Sequence, residues 1–398
     1  MQSPWVWARS VRSHPFLYRK MVRELDPAAR PGDVVQVYDR EGRLFARGLF
    51  NPRSQIVVRL LADVDTPIDD AFWRARLQQA LELRRRLQLD EVTDAYRLVH
   101  AEGDGLSGLV VERFADTLVF EVFALGMWQR REQIAAVLRE LLPAPTALDR
   151  PQQAAAAWRT VVLADARAAE LEGFRPPPPT PETPARLTVR EHGVRYRVDF
   201  AAGHKTGFFC DQRDNRRRFA ELCRDACVLD AFCYSGGFGL CAKLAGGARE
   251  VTSVDLDEKA LALARENANL NQARIAHVQA DAFSYLRQMI ANGRQYDAVV
   301  LDPPKFALTR RDLEDARAKY HDLNKLGVQV VRPGGVLLSC SCSGLVSAES
   351  FLETVHVAAR RVGRRLQLLA QTGAAADHPV LLDCPETAYL KALWLRVL

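Results

Sequence analysis

A thiol and a carboxylate stand at the ends of two apolar runs, and their pairing suggests chemistry. Gly334-Gly335-Val336-Leu337-Leu338-Ser339-Cys340-Ser341-Cys342-Ser343 reads as a buried strand that delivers Cys342 to its C-terminal end. Asp302-Pro303-Pro304-Lys305 reads as the tip of another strand. Two successive prolines disfavour an immediate helix and expose backbone carbonyls. Pro303, Pro304 and Lys305 therefore make a rigid polar corner able to bind the edge of a planar base, with Asp302 beside it. An ordinary thiol has a pKa of about 8.5 and attacks as the thiolate, so Cys342 needs a helix N-terminus or a cation nearby. Cys340 lies two residues earlier on the same strand face and reads as a buried structural cysteine. A thiol and an acid at the carboxyl edge of a nucleotide-binding type of sheet point to covalent chemistry on a base.

A second set of residues precedes these. Asp230-Ala231-Phe232-Cys233-Tyr234-Ser235-Gly236-Gly237-Phe238-Gly239 follows a strand, and its glycines let backbone approach a ligand. The loop lacks the GxGxxG spacing of a dinucleotide site, and alone it is equally a tight strand–helix turn. Asp255 closes the next strand, roughly 20 residues on, where an acid can hold ribose hydroxyls. Asp257 suits the cap of the following helix better, which leaves Asp255 unengaged. Asp281 closes a third strand and either accepts from an adenine amino group or caps helix 282–291. The loop with Asp230, Tyr234, Ser235, Gly236 and Gly237, then Asp255, then Asp281, with Asp302 on the following strand, is the layout of an S-adenosylmethionine site.

These residues need a sheet to hold them. From residue 228 apolar strands alternate with helices: strands 228–232, 251–256, 275–280, 298–302 and 336–340, helices 257–270, 282–291, 313–331 and 348–361, then strand 366–371 and a final run 388–398. That alternation predicts a doubly wound α/β sheet buried on both faces. Residues 1 to about 70 alternate over short strands joined by turns, as in a small β-barrel. An amphipathic helix is expected over 71–88, a hairpin over 109–122, a helix over 129–142 and a second hairpin around His192-Gly193. Residues 143–186 lack a pattern, and Pro176 to Pro179 read as a stiff linker. The expected division is 1–70, 71–186 and 187–398.

At 398 residues the chain suits two or three domains, and its 48% hydrophobic content can fill their cores. No apolar run reaches transmembrane length and the N-terminus lacks the order of a signal peptide, so a cytoplasmic protein away from membranes is expected. The eight cysteines form no paired CxxC motif, which argues against zinc. The net charge of +6 is compatible with nucleic-acid binding without demonstrating it. The runs Arg84–Arg86, Arg216–Arg218 and Arg360–Arg365 are each expected to be solvated helix faces.

Several segments resemble one family. Gly203-His204-Lys205-Thr206-Gly207-Phe208-Phe209-Cys210-Asp211-Gln212-Arg213, Leu301 to Phe306, Ser341-Cys342-Ser343, Asp377-His378-Pro379-Val380 and Tyr389-Leu390-Lys391 are similar to the bacterial large-subunit rRNA cytosine-C5 methyltransferase I family. The resemblance implies an N-terminal PUA domain, a central α+β domain and a C-terminal Rossmann-like, class I methyltransferase sheet. It implies S-adenosylmethionine as cofactor with Phe209 among its contacts, 23S rRNA as substrate with Arg213 among its contacts, and a possible homodimer. It further implies that Cys342 attacks C6 of a cytosine, that Asp302 bonds the base near N3, and that C5 takes the methyl group. Many RNA cytosine methyltransferases carry a second cysteine after the two prolines; here that position is Lys305, and the base that removes the C5 proton is not identified. His378 is a candidate for a supporting role, with a structural role the preferred reading. The same fold acting on another RNA base, and a non-catalytic RNA-binding assembly module, are the alternatives.

Overall fold

The computed structural model describes residues 4–64, 66–145, 157–176, 186–200 and 207–398. Most of the Pro176–Pro179 linker and Gly203 to Thr206 of the signature segment lie outside them. The chain divides into two compact units: residues 1–189 with 376–387, and residues 190–375 with 388–398.

The first unit opens with strands β1 Trp5–Ala8, β2 Phe16–Tyr18, β3 Val22–Leu25, β4 Val34–Tyr38, β5 Leu44–Phe50 and β6 Ile56–Asp63. They form a six-stranded sheet in the order β2-β6-β5-β4-β1-β3, closed over Val6, Leu17, Val35, Val37, Phe50 and Val58. Helix α1 Asp70–Arg86 is capped by Asp69, whose side chain accepts from the Phe72 amide. After the short helix α2 Leu89–Val92 come β7 Ala95–His100, β8 Leu109–Phe114, β9 Thr117–Val122 and helix α3 Leu125–Leu141. The patternless stretch holds two further elements, strand β10 Arg159–Leu163 and helix α4 Ala166–Glu172. β10 joins β9 in parallel and completes a four-stranded sheet, β10-β9-β8-β7. Residues 376–387 also belong here: the Asp377 carboxylate accepts from the Arg97 amide at 2.8 Å and its carbonyl accepts from Arg84 at 2.6 Å. Arg84 is buried against Asp104, so the first arginine of its run is no solvated face. No helix among the described residues is long and apolar enough to cross a membrane.

Strands β11 Arg186–Glu191 and β12 Val194–Asp199 form the expected hairpin. The second unit continues with helix α5 Arg213–Glu221, β13 Cys227–Ala231, α6 Gly237–Leu244, β14 Glu250–Asp255, α7 Glu258–Leu270, β15 Ala276–Gln279, α8 Ala282–Ala291, β16 Tyr296–Leu301, α9 Leu313–Val330, β17 Val331–Ser341, α10 Ala348–Arg361, β18 Leu366–Thr372 and β19 Lys391–Val397. The seven-stranded sheet runs β15-β14-β13-β16-β17-β19-β18. β13 to β17 are mutually parallel, as alternating crossovers require. β19 is antiparallel to both β17 and β18, which it separates. Burial on both faces holds for the centre and fails at the β18 edge, where Leu368 and Leu369 stay exposed.

Candidate active site

β13 has β14 on one side and β16 on the other, so the strand order reverses at its carboxyl end. A crevice opens at such a switch point. Asp230 lies there, buried, with Oδ2 accepting from the Gly239 amide at 2.8 Å and Oδ1 without a partner among the described residues. Burial first, and the Asp255 charge less strongly, push its pKa up to about 7. The loop that follows is strained: Phe232 (φ 64°), Tyr234 (φ 48°) and Gly236 (φ 83°) all lie in the left-handed region. Such conformations in non-glycine residues cost about 1–3 kcal/mol each and collect at ligand clamps. Bonds at each step hold them: Cys233 N–H to Val254 O (3.0 Å), Tyr234 N–H to Asp255 Oδ2 (2.8 Å), Gly236 N–H to Cys233 O (2.8 Å) and Asn267 Nδ2 to Ser235 O (3.0 Å). The Phe209 and Tyr234 rings meet edge to face at 5.1 Å.

The loop makes a cradle that side chains would fill. A Cβ on Gly237 would stand 2.9 Å from Arg216 Cδ, and one on Gly239 would stand 2.7 Å from Ser253 Oγ and 3.2 Å from Asp230 Oδ2. We predict that Gly239→Ala displaces Asp230 and weakens S-adenosylmethionine binding at least about tenfold, while overpacking costs about 1–3 kcal/mol against a helix-propensity gain of about 1 kcal/mol. Titration calorimetry with the cofactor checks this; unchanged affinity would refute the assignment of this loop.

Two acids flank the cradle. Asp257 caps α7, accepting from Lys259 and Ala260 amides. Asp255 is nevertheless not unengaged, contrary to the sequence reading: Oδ2 takes the Tyr234 amide and Oδ1 takes the Asp257 amide at 2.9 Å. A carboxylate oxygen has two lone pairs, so each retains one for a ligand hydroxyl. Asp281 caps α8 through Oδ1, which accepts from Ser284 N and Oγ at 2.9 Å each, and it is exposed.

Asp302 follows β16 and is reached by a directed chain of hydrogen bonds. Trp394 Nε1 donates to Thr372 Oγ1 (2.9 Å), Thr372 to Asn215 Oδ1 (2.7 Å), Asn215 Nδ2 to Gln212 Oε1 (2.7 Å), and Gln212 Nε2 to Asp302 Oδ2 (3.0 Å). The indole can only donate, and the chain it starts runs donor to acceptor to the Gln212 amide NH2, which donates to Asp302. Burial first, then the neighbouring Asp211 carboxylate, push the Asp302 pKa up to about 7. Asp211 Oδ2 accepts from the Tyr389 hydroxyl at 2.6 Å, while its buried Oδ1 has no partner among the described residues.

Of the eight cysteines, all within the described residues, seven are buried and Cys342 alone is partly exposed. Its Sγ lies 4.0 Å from the Pro303 carbonyl, so the structure brings the two sequence motifs together. The strand end is stiffened by Tyr320, whose hydroxyl bonds Ser341 Oγ (2.9 Å) and Ser343 Oγ (3.0 Å) on either side of the thiol. Pro304 and Lys305 are exposed beside it. Lys391 is buried nearby, donating to Ser343 O (2.6 Å) and Tyr389 O (2.9 Å).

The basic run on α5 departs from expectation. Arg213 is only 1% exposed and paired with Asp214, so its guanidinium is held inside the fold. Arg216 is buried in a bidentate pair with Glu191, and Arg218 lies over the Trp394 ring at 4.9 Å; Arg217 alone of that run is exposed. Sequence reasoning assigned no role to Asp211, Gln212 or Lys391. The signal was a lone lysine opening the apolar run Lys391-Ala392-Leu393-Trp394-Leu395. In the first unit His378 is buried with Nδ1 against Asp377, a structural histidine. One group there, His14 with Cys384 and Glu386, has the donor set of a metal site. The Phe16 amide donates to His14 Nδ1, which leaves the proton on Nε2, directed at Glu386, so the ring is set for a hydrogen bond and not for a metal.

A glycine cradle at the switch point with acids closing the next two strands defines an S-adenosylmethionine-dependent methyltransferase. The family model of that description matches residues 116–396, and a PUA-like domain model matches residues 8–63. Proteins named ribosomal RNA large subunit methyltransferase I are 38% identical in Klebsiella pneumoniae over 392 residues, covering 98% of this chain and 95% of that one. In Salmonella arizonae the identity is 38% over 395 residues, covering 98% and 94%. The chain belongs to the ribosomal RNA large subunit methyltransferase I family. Its fold matches a solved chain named SMU.776, complexed with SAH, with a TM-score of 0.80 at 20% identity, covering 98% of this chain and 99% of that one. A second such match, from Streptococcus mutans, has a TM-score of 0.79 at 20% identity and the same coverage.

Proposed function

We propose that this protein methylates C5 of a cytosine in 23S rRNA through a covalent adduct on Cys342. The observation that carries the reading is the partly exposed thiol against the Asp302-Pro303 corner, at the carboxyl edge of the sheet that holds the cofactor cradle. The relatives' name supplies the large-subunit RNA as substrate.

The chain's residues then have distinct tasks. Asp230, Tyr234, Ser235, Gly236 and Gly237, with Asp255, Asp281 and Phe209, hold the cofactor, which supplies the methyl group when bound. The unpartnered Asp230 oxygen and the strained loop fit an amphipathic, hydroxyl-bearing ligand. Cys342 thiolate adds to C6 of the cytosine and makes C5 nucleophilic, splitting a hard step into easier ones. After methylation a base takes the C5 proton and the thiolate leaves. Pro303, Pro304 and Lys305 border the base. The target nucleotide is single-stranded or extruded, as chemistry on a base edge requires. The sheet of residues 5–63 is the RNA-binding PUA module, and the three-part division 1–70, 71–186 and 187–398 is retained as a functional one. The protein acts in the cytoplasm.

Asp302 selects the base. Held near pKa 7, it keeps a proton that ordinary carboxylates lose, and can donate it to N3 of cytosine. Uracil presents N3–H there and would meet a donor with a donor. The sign follows: Asp302 acts protonated, so its support is full below about pH 7 and is lost as pH rises through it, while thiolate formation rises with pH. We expect a bell-shaped kcat/KM profile whose alkaline limb disappears in Asp302→Asn. A limb that persists in that variant would remove Asp302 from this role.

The deciding experiment uses RNA carrying 5-fluorocytidine. Fluorine cannot be taken from C5 as a proton is, so the adduct should persist as a denaturant-stable protein–RNA complex mapped to Cys342. With ordinary RNA the product nucleoside should be 5-methylcytidine. Another methylated base, or no complex with the fluorinated RNA, refutes the proposal.

A further inference from the structure

We propose that Lys391 is the ion-pair partner that sets Cys342 as a thiolate, a positioning residue acting through the sulfur and not on the substrate. This rests on the reading of Cys342 as nucleophile. The placement comes from strand register. β19 runs antiparallel to β17 with Lys391 opposite Ser341, the residue before Cys342. From there its ammonium donates at 2.6 Å to the carbonyl of Ser343, the residue after Cys342. A second bond, 2.9 Å to Tyr389 O, pins it from its own strand. Lys391 therefore touches the chain on both sides of the thiol.

A buried charge needs compensation. Lys391 is 8% exposed, and its hydrogen-bond partners among the described residues are two neutral carbonyls, with no carboxylate within ion-pair distance. Of the carboxylates of this site, Asp302 accepts from Gln212 and Asp211 from Tyr389, and neither bonds Lys391. The anion-forming group whose charge acts on this ammonium is Cys342, between the strand partner Ser341 and the hydrogen-bonded Ser343. Three ammonium protons with two carbonyl acceptors leave one donor uncommitted among the described residues.

Burial holds the Lys391 pKa down to about 8, Cys342 raises it, and Lys305 on the proline corner lowers it. The other titratable groups around the pair are the Tyr320 hydroxyl on α9, which bonds Ser341 and Ser343, and Cys340 on β17, whose thiol burial pushes well above its ordinary range. With Lys391 near 8 and an ordinary thiol near 8.5, the two groups are matched for proton sharing. The proton accounting is simple. The neutral amine takes the Sγ proton, giving thiolate and ammonium with no net change in charge; the thiolate that later leaves C6 returns to the same ammonium. A counter-cation supplied by the protein also explains how a thiol can work here without a helix N-terminus at its own position.

The test measures the thiol itself and requires no methyl transfer. Iodoacetamide alkylation of Cys342, followed by peptide mass spectrometry across pH, gives its apparent pKa, with Cys342→Ala as the labelling control. The wild-type thiol should titrate below about 8.5. Lys391→Met, close in shape and uncharged, should raise that value by about one unit. Alkylation at pH 7 should then slow about threefold, since the remaining thiolate is fewer but more nucleophilic. Lys391→Arg should restore the low value. A wild-type thiol titrating at or above about 8.5 overturns the proposal by itself, even if Lys391→Met fails to fold. A folded Lys391→Met with an unmoved profile overturns it equally. Failure of the cytosine reading would appear separately, as missing 5-methylcytidine beside an intact thiol profile.

Discussion

Cys342→Ala should reduce methyl transfer to 23S rRNA by at least about 10³-fold, the scale on which loss of a covalent nucleophile is felt. No other cysteine can replace it. Cys340 is one strand pleat away but 1% exposed, and burial pushes its thiol well above the ordinary range. Cys210 and Cys233, near the cradle, are buried as well. Cys342→Ser should be inactive too, because a hydroxyl ionises far less readily than a thiol. Folding should be unaffected within about 0.5 kcal/mol, since the side chain is partly exposed and fills no core. Cofactor affinity should also stay unchanged, because the cradle is built from β13, β14 and α6. Radiolabelled methyl transfer with nucleoside identification reads the first effect, and calorimetry the second. A variant keeping more than about one tenth of wild-type activity would exclude the covalent route.

The second large effect is on stability. Arg216→Met should destabilise the protein by about 3–5 kcal/mol, the cost of leaving a buried charge unpaired. Arg216 Nε and an Nη atom each lie 2.7 Å from one oxygen of Glu191, and the remaining Nη atom donates to Phe209 O at 2.9 Å. Both side chains are buried. Burial alone would lower the guanidinium pKa; the Glu191 carboxylate outweighs it and holds the value above the ordinary one. The variant would leave Glu191 alone in the interior and release the Phe209 carbonyl beside the cradle. Replacing both partners, Glu191→Leu with Arg216→Met, should recover much of the loss, because removing a buried pair costs less than breaking it. Urea unfolding measures both. A loss below about 1 kcal/mol for the single variant would show that Glu191 finds another partner or water.

Much of the second unit was readable because its strands are apolar and its helices punctuated. Helix 348–361 appears with the expected bounds, started by Ser347, whose side chain accepts from the Ser350 amide. The loop at 232–237 and the ends of β14 and β16 were located by residue type alone. What escaped has physical reasons. β10 and α4 are short, and an isolated five-residue strand announces itself by its neighbour, here β9, more than by its own pattern. The arginines of α5 looked like a solvated face because charge suggests water; Glu191, 25 residues earlier in the chain, overrides that by supplying the matching carboxylate. Asp255 appeared unengaged because one of its amide donors, Tyr234, lies in a loop whose left-handed conformation no propensity predicts, and the other, Asp257, was read only as a helix cap. Lys391 and the chain from Trp394 to Asp302 unite residues from both ends of the unit, and only register reveals them.

The position of β19 sets an order on how this protein can be made. β18 emerges from the ribosome before β19, yet it has no place beside β17 until β19 lies between them. A nascent chain ending anywhere before residue 391 carries an open β17 edge, where unpaired backbone groups invite other strands. It also lacks the lysine opposite Ser341 and the indole that starts the hydrogen-bond chain to Asp302. Until synthesis has passed β19, the strand end that carries Cys342 lacks both its neighbouring strand and the lysine opposite Ser341. Completion of the sheet and completion of this strand end are one event.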